Sequence, residues 1–341
     1  MNRLGRQAMT AYIGCYTDAA HPFGLCAVEV DPRTGRMEQV QAVRAEDAIY
    51  QCLVPGGDVL VSCVRGGLAA FRREADGLVV SDRLDLGAEC VCHASALADG
   101  TTVCWADYLA GEAGSVRIEN GCFDRTSVVR HKHVGSGPNL PRQASAHCHQ
   151  AIPLPEGRGY CVVDLGLDRL SIYPSGRHFP TVPEGAGPRH LVFHPGGGFA
   201  FLASELGNLV SCYRFSEERG FEFVSAASTL PAGWKGESAI AAIRMSGDGS
   251  RVFVSNRGHD SIAAFDFIAS EGRLEPRMFS PLPGSWPRDF AFLAGEDMAL
   301  VALERSGCVI ACRYEEASGR FDPVQRLDGL YRPSSVLPAA D

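Results

Sequence analysis

The sequence predicts an all-β fold, a seven-bladed β-propeller whose ring is closed by its C-terminal strand pairing with the N-terminal strands. Three observations carry this. A strand–turn–strand–turn–strand unit recurs with a period of about 40 to 57 residues, the spacing of propeller blades. The two ends of the chain hold complementary fragments of one further unit. Helical periodicity is nearly absent.

The unit is clearest from Gly187 to Tyr213. Two apolar runs flank Pro195-Gly196-Gly197-Gly198, a hairpin signal, and a polar turn then leads to a third strand, Leu209 to Tyr213. In an antiparallel hairpin the start of one strand lies beside the end of its partner. Arg189, His190 and Glu205 are therefore expected at one end of the unit. The first hairpin turn recurs at residues 55–58, 98–100, 155–158, 247–249 and 294–297, each between short apolar strands. Third strands follow at Gly67 to Phe71, Ser115 to Ile118, Arg169 to Tyr173, Ser261 to Phe265 and Cys308 to Tyr314.

That makes six complete units. Met9 to Gly14 and Gly24 to Asp31 read as the second and third strands of a seventh, and Arg332 to Pro338 as its missing first strand. Sharing one blade between the termini removes the open edges of the ring. The expected organisation is a flexible segment 1–8 followed by a single propeller domain, 9–341. Weaker outer strands are expected at Met37 to Val43, Leu78 to Leu84, Cys122 to Val129, Phe221 to Ala226 and Leu274 to Leu282. Lys132 to Ser145 and Leu230 to Ser238 read as long loops, which on a rigid scaffold often carry function.

Composition narrows the partners. The 341 residues carry a formal charge of −8, with 38 glycines, 20 prolines and 21% charged residues. This suits a turn-rich globular protein and argues against nucleic acid or an anionic membrane as the main partner. No run of about 18 apolar residues is present, and Met1 to Thr10 lacks the apolar middle of a signal peptide. The thirteen cysteines are odd in number, irregularly spaced and mostly inside apolar strands, with no Cys-x-x-Cys pair. Reduced buried thiols in a cytoplasmic protein are the expected reading. The chain is expected to be a monomer or homodimer.

The ends of the inner strands collect polar residues on one face: His93 with Asp107, His147 and His149 with Asp164, and Arg189 and His190 with Glu205. They continue with Asn256 and Arg257, His259 and Asp260, then Arg288 and Asp289 with Glu304. Each has a plainer explanation. Asp164, Asp168 and Asp260 sit where turn aspartates accept backbone amides. His194 reads as a turn residue, and His93 and His190 as satisfied structural histidines. The arginines could form interblade ion pairs with Glu205, Asp164 or Glu304. His147-x-His149 alternates along a strand and would face one side, but it is a weak metal signature. The convergence of these residues at one mouth says more than any one of them.

The chain resembles the lactonase family of seven-bladed propellers, which includes propeller-type 6-phosphogluconolactonases and carboxy-muconate cyclases. The matching segments are Tyr12 to Thr17, Gly185 to Pro195, Ser204 to Asn208, Ile243 to Gly249, Val254 to Ile262 and Trp286 to Phe290. The resemblance covers nearly the whole chain. It departs in an Ala106-Asp107-Tyr108 where Ala-Asn-Tyr is usual, in an eroded second blade from Ile49 to Arg72, and in the lack of a proline before His93.

The resemblance implies a lactone hydrolase acting on a small anionic sugar lactone, 6-phosphogluconolactone first, with His149, Arg189, Glu205 and Arg257 as the active-site set. The expected catalytic residues are His149 as general base, Glu205 to orient it or replace it, and Arg257. The expected substrate-binding residues are Arg189, His190, His93, His147, Asn256 and Arg288. No cofactor and no metal are expected. No Gly-x-Ser-x-Gly nucleophile is present, which argues against an acyl-enzyme. Three other readings stay open at this point. They are a muconate cyclase holding carboxylates with the same arginines, a calcium-dependent lactonase using Glu205 and Asn256, and a non-catalytic propeller that binds a partner.

Overall fold

The computed structural model describes residues 8–157, 159–295 and 297–339. All but the last residue of the expected flexible segment, together with turn residues Arg158 and Glu296, lie outside the described residues.

Seven four-stranded antiparallel sheets form a ring. Blade 1 comprises residues 9–44 plus 333–339, and blades 2 to 7 comprise 50–85, 91–132, 148–180, 188–228, 239–281 and 287–328. The innermost strands are Pro333–Ala339, Tyr50–Leu53, Val91–Ala96, Cys148–Pro153, Pro188–Phe193, Ala239–Met245 and Pro287–Phe292. Each touches its neighbours around the ring.

The core lies between blades, because the middle strands are covered on both faces. In Met298–Leu303, the residues Met298, Leu300 and Ala302 pack against blade 1. The alternate residues Ala299, Val301 and Leu303 pack against blade 6. Period-2 alternation thus feeds two cores at once, so these strands read as continuous apolar runs. Nine of the thirteen cysteines are buried, eight of them in such strands, and all thirteen are free thiols.

The ring closes as the sequence indicates. Thr10, Tyr12 and Gly14 pair with Ala339, Leu337 and Ser335. The Tyr-Ile-Gly segment needs its glycine. A Cβ at Gly14 would sit 2.2 Å from the Ala48 carbonyl oxygen and 2.4 Å from both Gln51 Nε2 and Ser335 Oγ. Those groups are themselves linked: Ser335 Oγ donates to Gln51 Oε1 at 2.7 Å, and Ser334 Oγ to the carbonyls of Gly14 and Ile49.

Two outer strands have no range in the sequence reading, where Glu315 to Phe321 marks only the turn that leads into the second. Arg177–Pro180 is four residues long and half polar, and Arg320–Asp328 alternates charge with few apolar residues. Both are paired only on one side, so they need little apolar content.

Candidate active site

A β-bulge re-aims the residue that it leaves unpaired. Near the start of the innermost strands the register skips Ser334 in blade 1, Cys92 in blade 3, His149 in blade 4, Arg189 in blade 5 and Arg288 in blade 7. In blade 6 it skips Ala241 and Ala242. The first five of these line one small cavity in the channel, together with Ile49, Tyr50, His190 and Asp289. Its volume is about 10 Å³, room for about one water. A roomier recess of about 600 Å³ between blades 1 and 2 is lined by Tyr12, Gln41 and Arg73 and holds none of these residues.

Imidazole and phenol rings pack the cavity floor. His93 stacks on Tyr50 at 4.1 Å, and His190 meets His93 and His149 edge-on at 5.4 and 5.3 Å. Burial pushes the His93 pKa down to about 3, helped by Arg244 and Arg189. His149 and His190 are held well below the usual histidine range by burial and then by the Arg189 charge. These three rings are neutral at physiological pH. His149 Nδ1 is buried and makes no hydrogen bond to protein.

Glu205 is the anionic hub. Its Oε2 lies 2.8 Å from Arg257 Nη2 and 3.2 Å from Arg189 Nε, and its Oε1 accepts from Arg142 Nη2 at 2.7 Å. Burial alone would raise this carboxyl, but Arg257 and Arg189 outweigh it and hold it well below the carboxylate range. The arginines are fixed in turn by backbone carbonyls. Arg189 donates to Ala241 at 2.5 Å and Arg257 to Ile240 at 2.7 Å. A second hub, Glu304, pairs with Arg288 at 3.2 Å and Arg332 at 2.6 Å, both over the Tyr16 ring.

The expected residues are not all brought together. His149, Arg189, His190, Arg288 and Glu205 converge, and His93 lies beneath them. His147 lies just outside, half-buried, stacked on Tyr108 at 4.4 Å with Nδ1 on the Tyr108 carbonyl. The His-x-His alternation fails because the strand begins at Cys148 and bulges at His149. Asn256 faces away from the channel, donating through Nδ2 to the Thr229 carbonyl at 2.7 Å and to Ser261 Oγ. Both oxygens of Glu205, expected as an alternative base or as a calcium ligand, are engaged by guanidiniums. The turn aspartates do cap backbone amides: Asp164 those of His147, Gly166 and Leu167, and Asp260 those of Gly258 and Trp286.

Other participants were not singled out as site residues in the sequence, although Arg244 and Trp286 lie in segments that carry the resemblance and Arg142 in a long loop. Arg142 comes from the long 133–147 loop. Tyr50 comes from the blade that looked eroded, and Arg244 pairs with Asp289 at 2.6 Å beside it. Trp286 holds φ +70°, in the left-handed region where bulky residues are rare. Its ring contacts the guanidiniums of Arg257, at 5.5 Å, and Arg305, at 3.3 Å. Gly187, the equivalent residue before Pro188, takes φ +63° without that cost.

A family profile described as lactonase, 7-bladed beta-propeller, matches residues 10–338. The chain belongs to this lactonase family. An uncharacterised protein of Lactococcus lactis is 32% identical, over 96% of this chain and 98% of its own. A Bacillus subtilis protein named 6-phosphogluconolactonase is 29% identical, over 91% of this chain and 92% of its own. Among solved structures, a periplasmic gluconolactonase of Pseudomonas aeruginosa superposes with a TM-score of 0.89 at 23% identity, covering 98% of this chain and 99% of its own. That likeness shows the fold. In this lactonase-family propeller the four residues implied by the resemblance thus share one electrostatic unit: Arg189 and Arg257 bind Glu205, and the Arg189 charge depresses His149.

Proposed function

We propose that the protein is a lactone hydrolase and that its substrate is 6-phosphogluconolactone, opened by general-base hydrolysis at His149. The observation that supports this best is the charge around the mouth. Arg142, Arg189, Arg244, Arg257, Arg288 and Arg332 face Glu205, Asp289 and Glu304, a surplus of three positive charges. The whole chain carries −8. Such a surplus suits a phosphate of about −1.5 to −2 together with the oxyanion that forms at the lactone carbonyl.

A sugar lactone is too large for the cavity floor, so it sits above it with its carbonyl reaching down. His149 is neutral there and has a lone pair available to take a proton from water. As the water oxygen bonds to the carbonyl carbon, negative charge on the carbonyl oxygen is met by Arg189 and Arg288. When the tetrahedral species collapses, the C–O bond to the ring oxygen breaks and the imidazolium returns its proton to that oxygen. The product is an open hydroxy acid, which loses a proton to solvent. Arg189 disfavours the imidazolium in the free protein. A bound anion offsets that charge and raises the basicity of His149 when it is needed. Glu205 serves as a fixed anion that holds Arg189 and Arg257 and stabilises the transient imidazolium.

The base and the oxyanion donors are protein side chains, so the expected reaction is resistant to chelators. Thirteen free thiols suit a reducing compartment, which agrees with a cytoplasmic enzyme. The test is hydrolysis of freshly generated 6-phosphoglucono-δ-lactone against its spontaneous rate, with and without EDTA. Acceleration in both arms is expected. No acceleration by folded protein would overturn the reading, and loss of acceleration only in EDTA would overturn its mechanism.

A further inference from the structure

The 133–147 loop joins blades 3 and 4 and is anchored at both ends. His133 is buried, with Nδ1 2.6 Å from Asp164 Oδ2 and Nε2 2.9 Å from the Tyr173 hydroxyl. Gln143 is buried and donates to the Leu165 carbonyl at 2.8 Å, while its Oε1 accepts from the Asn139 amide. Between these anchors Val134 and Leu140 are 81% and 67% exposed. The base of the loop is fixed while its tips face solvent.

Arg142 is the loop's contribution to the site, and it differs from the other arginines on Glu205. The side chains of Arg189 and Arg257 are 4% and 7% exposed, and that of Arg142 is 46% exposed. The two buried arginines share Oε2, whereas Arg142 binds Oε1. Releasing Arg142 therefore leaves both buried pairs intact. Its Nη2 also lies 3.3 Å from the Tyr108 hydroxyl, and the Tyr108 ring meets His149 edge-on at 5.5 Å. Arg142 thus sits at the rim, one ring away from the proposed base. Arg332 is the other half-exposed arginine of the mouth, but two bonds to Glu304 and the Tyr16 ring 4.4 Å away hold it.

The Arg142 guanidinium is half-exposed, so water competes for it and screens its pair with Glu205 more than the two buried pairs. A phosphate offers the same guanidinium several charged acceptors in fork geometry. We infer that Arg142, with the Tyr108 hydroxyl beside it, is a phosphate-binding arm. On substrate entry its guanidinium leaves Glu205 Oε1 for the phosphate of the lactone. Arg142 then sets the preference for phosphorylated over unphosphorylated lactones. This rests on the hydrolase reading for its substrate, and on the loop geometry alone for its anion.

Two measurements separate the inference from that reading. In Arg142→Gln, the ratio of kcat/KM for 6-phosphoglucono-δ-lactone to that for glucono-δ-lactone should fall about 10- to 100-fold, the worth of one or two charge-assisted bonds. Most of the fall should lie in KM, and Arg142→Lys should recover part of it. An unchanged ratio would overturn the inference. Calorimetry with 6-phosphogluconate and gluconate reads the same preference without turnover. The wild type should prefer the phosphorylated acid and Arg142→Gln should lose that preference. A wild type with no preference, or a variant that keeps it, would overturn the inference even if the protein hydrolysed neither lactone.

Discussion

Glu205→Gln is expected to destabilise the protein by about 3–5 kcal/mol, the cost of removing one partner from a buried ion pair. The carboxylate is 4% exposed and meets three guanidiniums, two of them buried as deeply as itself. Glutamine keeps the shape and loses the charge. Arg189 and Arg257 retain their backbone carbonyl partners, so local geometry survives while two buried positive charges are left side by side. Urea unfolding of wild type and variant measures the loss. Phosphate or sulfate should stabilise the variant more than the wild type, because an anion can replace the missing charge. A variant as stable as the wild type would show that the hub is solvated and does not organise the site.

The second large effect is acid lability. His93, His149 and His190 have folded-state pKa values pushed down by burial, His93 to about 3. In the unfolded chain the same groups titrate near 6.5. As pH falls through 6.5 the unfolded state takes up protons that the native state refuses, so stability falls. Three such groups give a slope of up to about 4 kcal/mol per pH unit. Glu205 acts in the same direction lower down. Its pKa is depressed, so its contribution is complete above the unfolded value of about 4.3 and is lost as pH falls towards the folded one. Urea midpoints at pH 7.5, 6.5 and 5.5 test this. They should fall steeply across the lower interval. A flat profile would mean that the rings are protonated in the folded protein, which the neutral-base mechanism does not allow.

The fold was legible because propeller architecture is written in period. The Gly/Pro turns, the paired apolar runs and the split blade at the termini are local signals, and ring closure follows from them. The hairpin argument also placed Arg189, His190 and Glu205 together, because it needs only one blade. What escaped depends on contacts between blades. The bulges at Cys92, His149, Arg189 and Arg288 decide which side chains enter the channel, and no residue at those positions announces a bulge. Strict alternation therefore misplaced the His147–His149 pair. Asn256 looked like a site residue because it precedes Arg257, yet adjacent residues on a strand face opposite sides. Arg142 reaches Glu205 across 63 residues of sequence, from a loop whose pattern gives no sign of where it folds.

Turnover of freshly generated 6-phosphoglucono-δ-lactone by wild type and His149→Ala, measured side by side, tests the central claim most directly. His149 Nδ1 makes no hydrogen bond to protein, so the variant leaves no Nδ1 partner unpaired; the cavity left by the buried ring lowers the melting temperature, and the comparison is made below that of the variant. Its kcat should fall by about 10²- to 10⁴-fold, the usual worth of a positioned general base. A folded variant that keeps most of the wild-type rate would contradict the assignment of His149 as the base and move the chemistry away from the bulged ring of the channel.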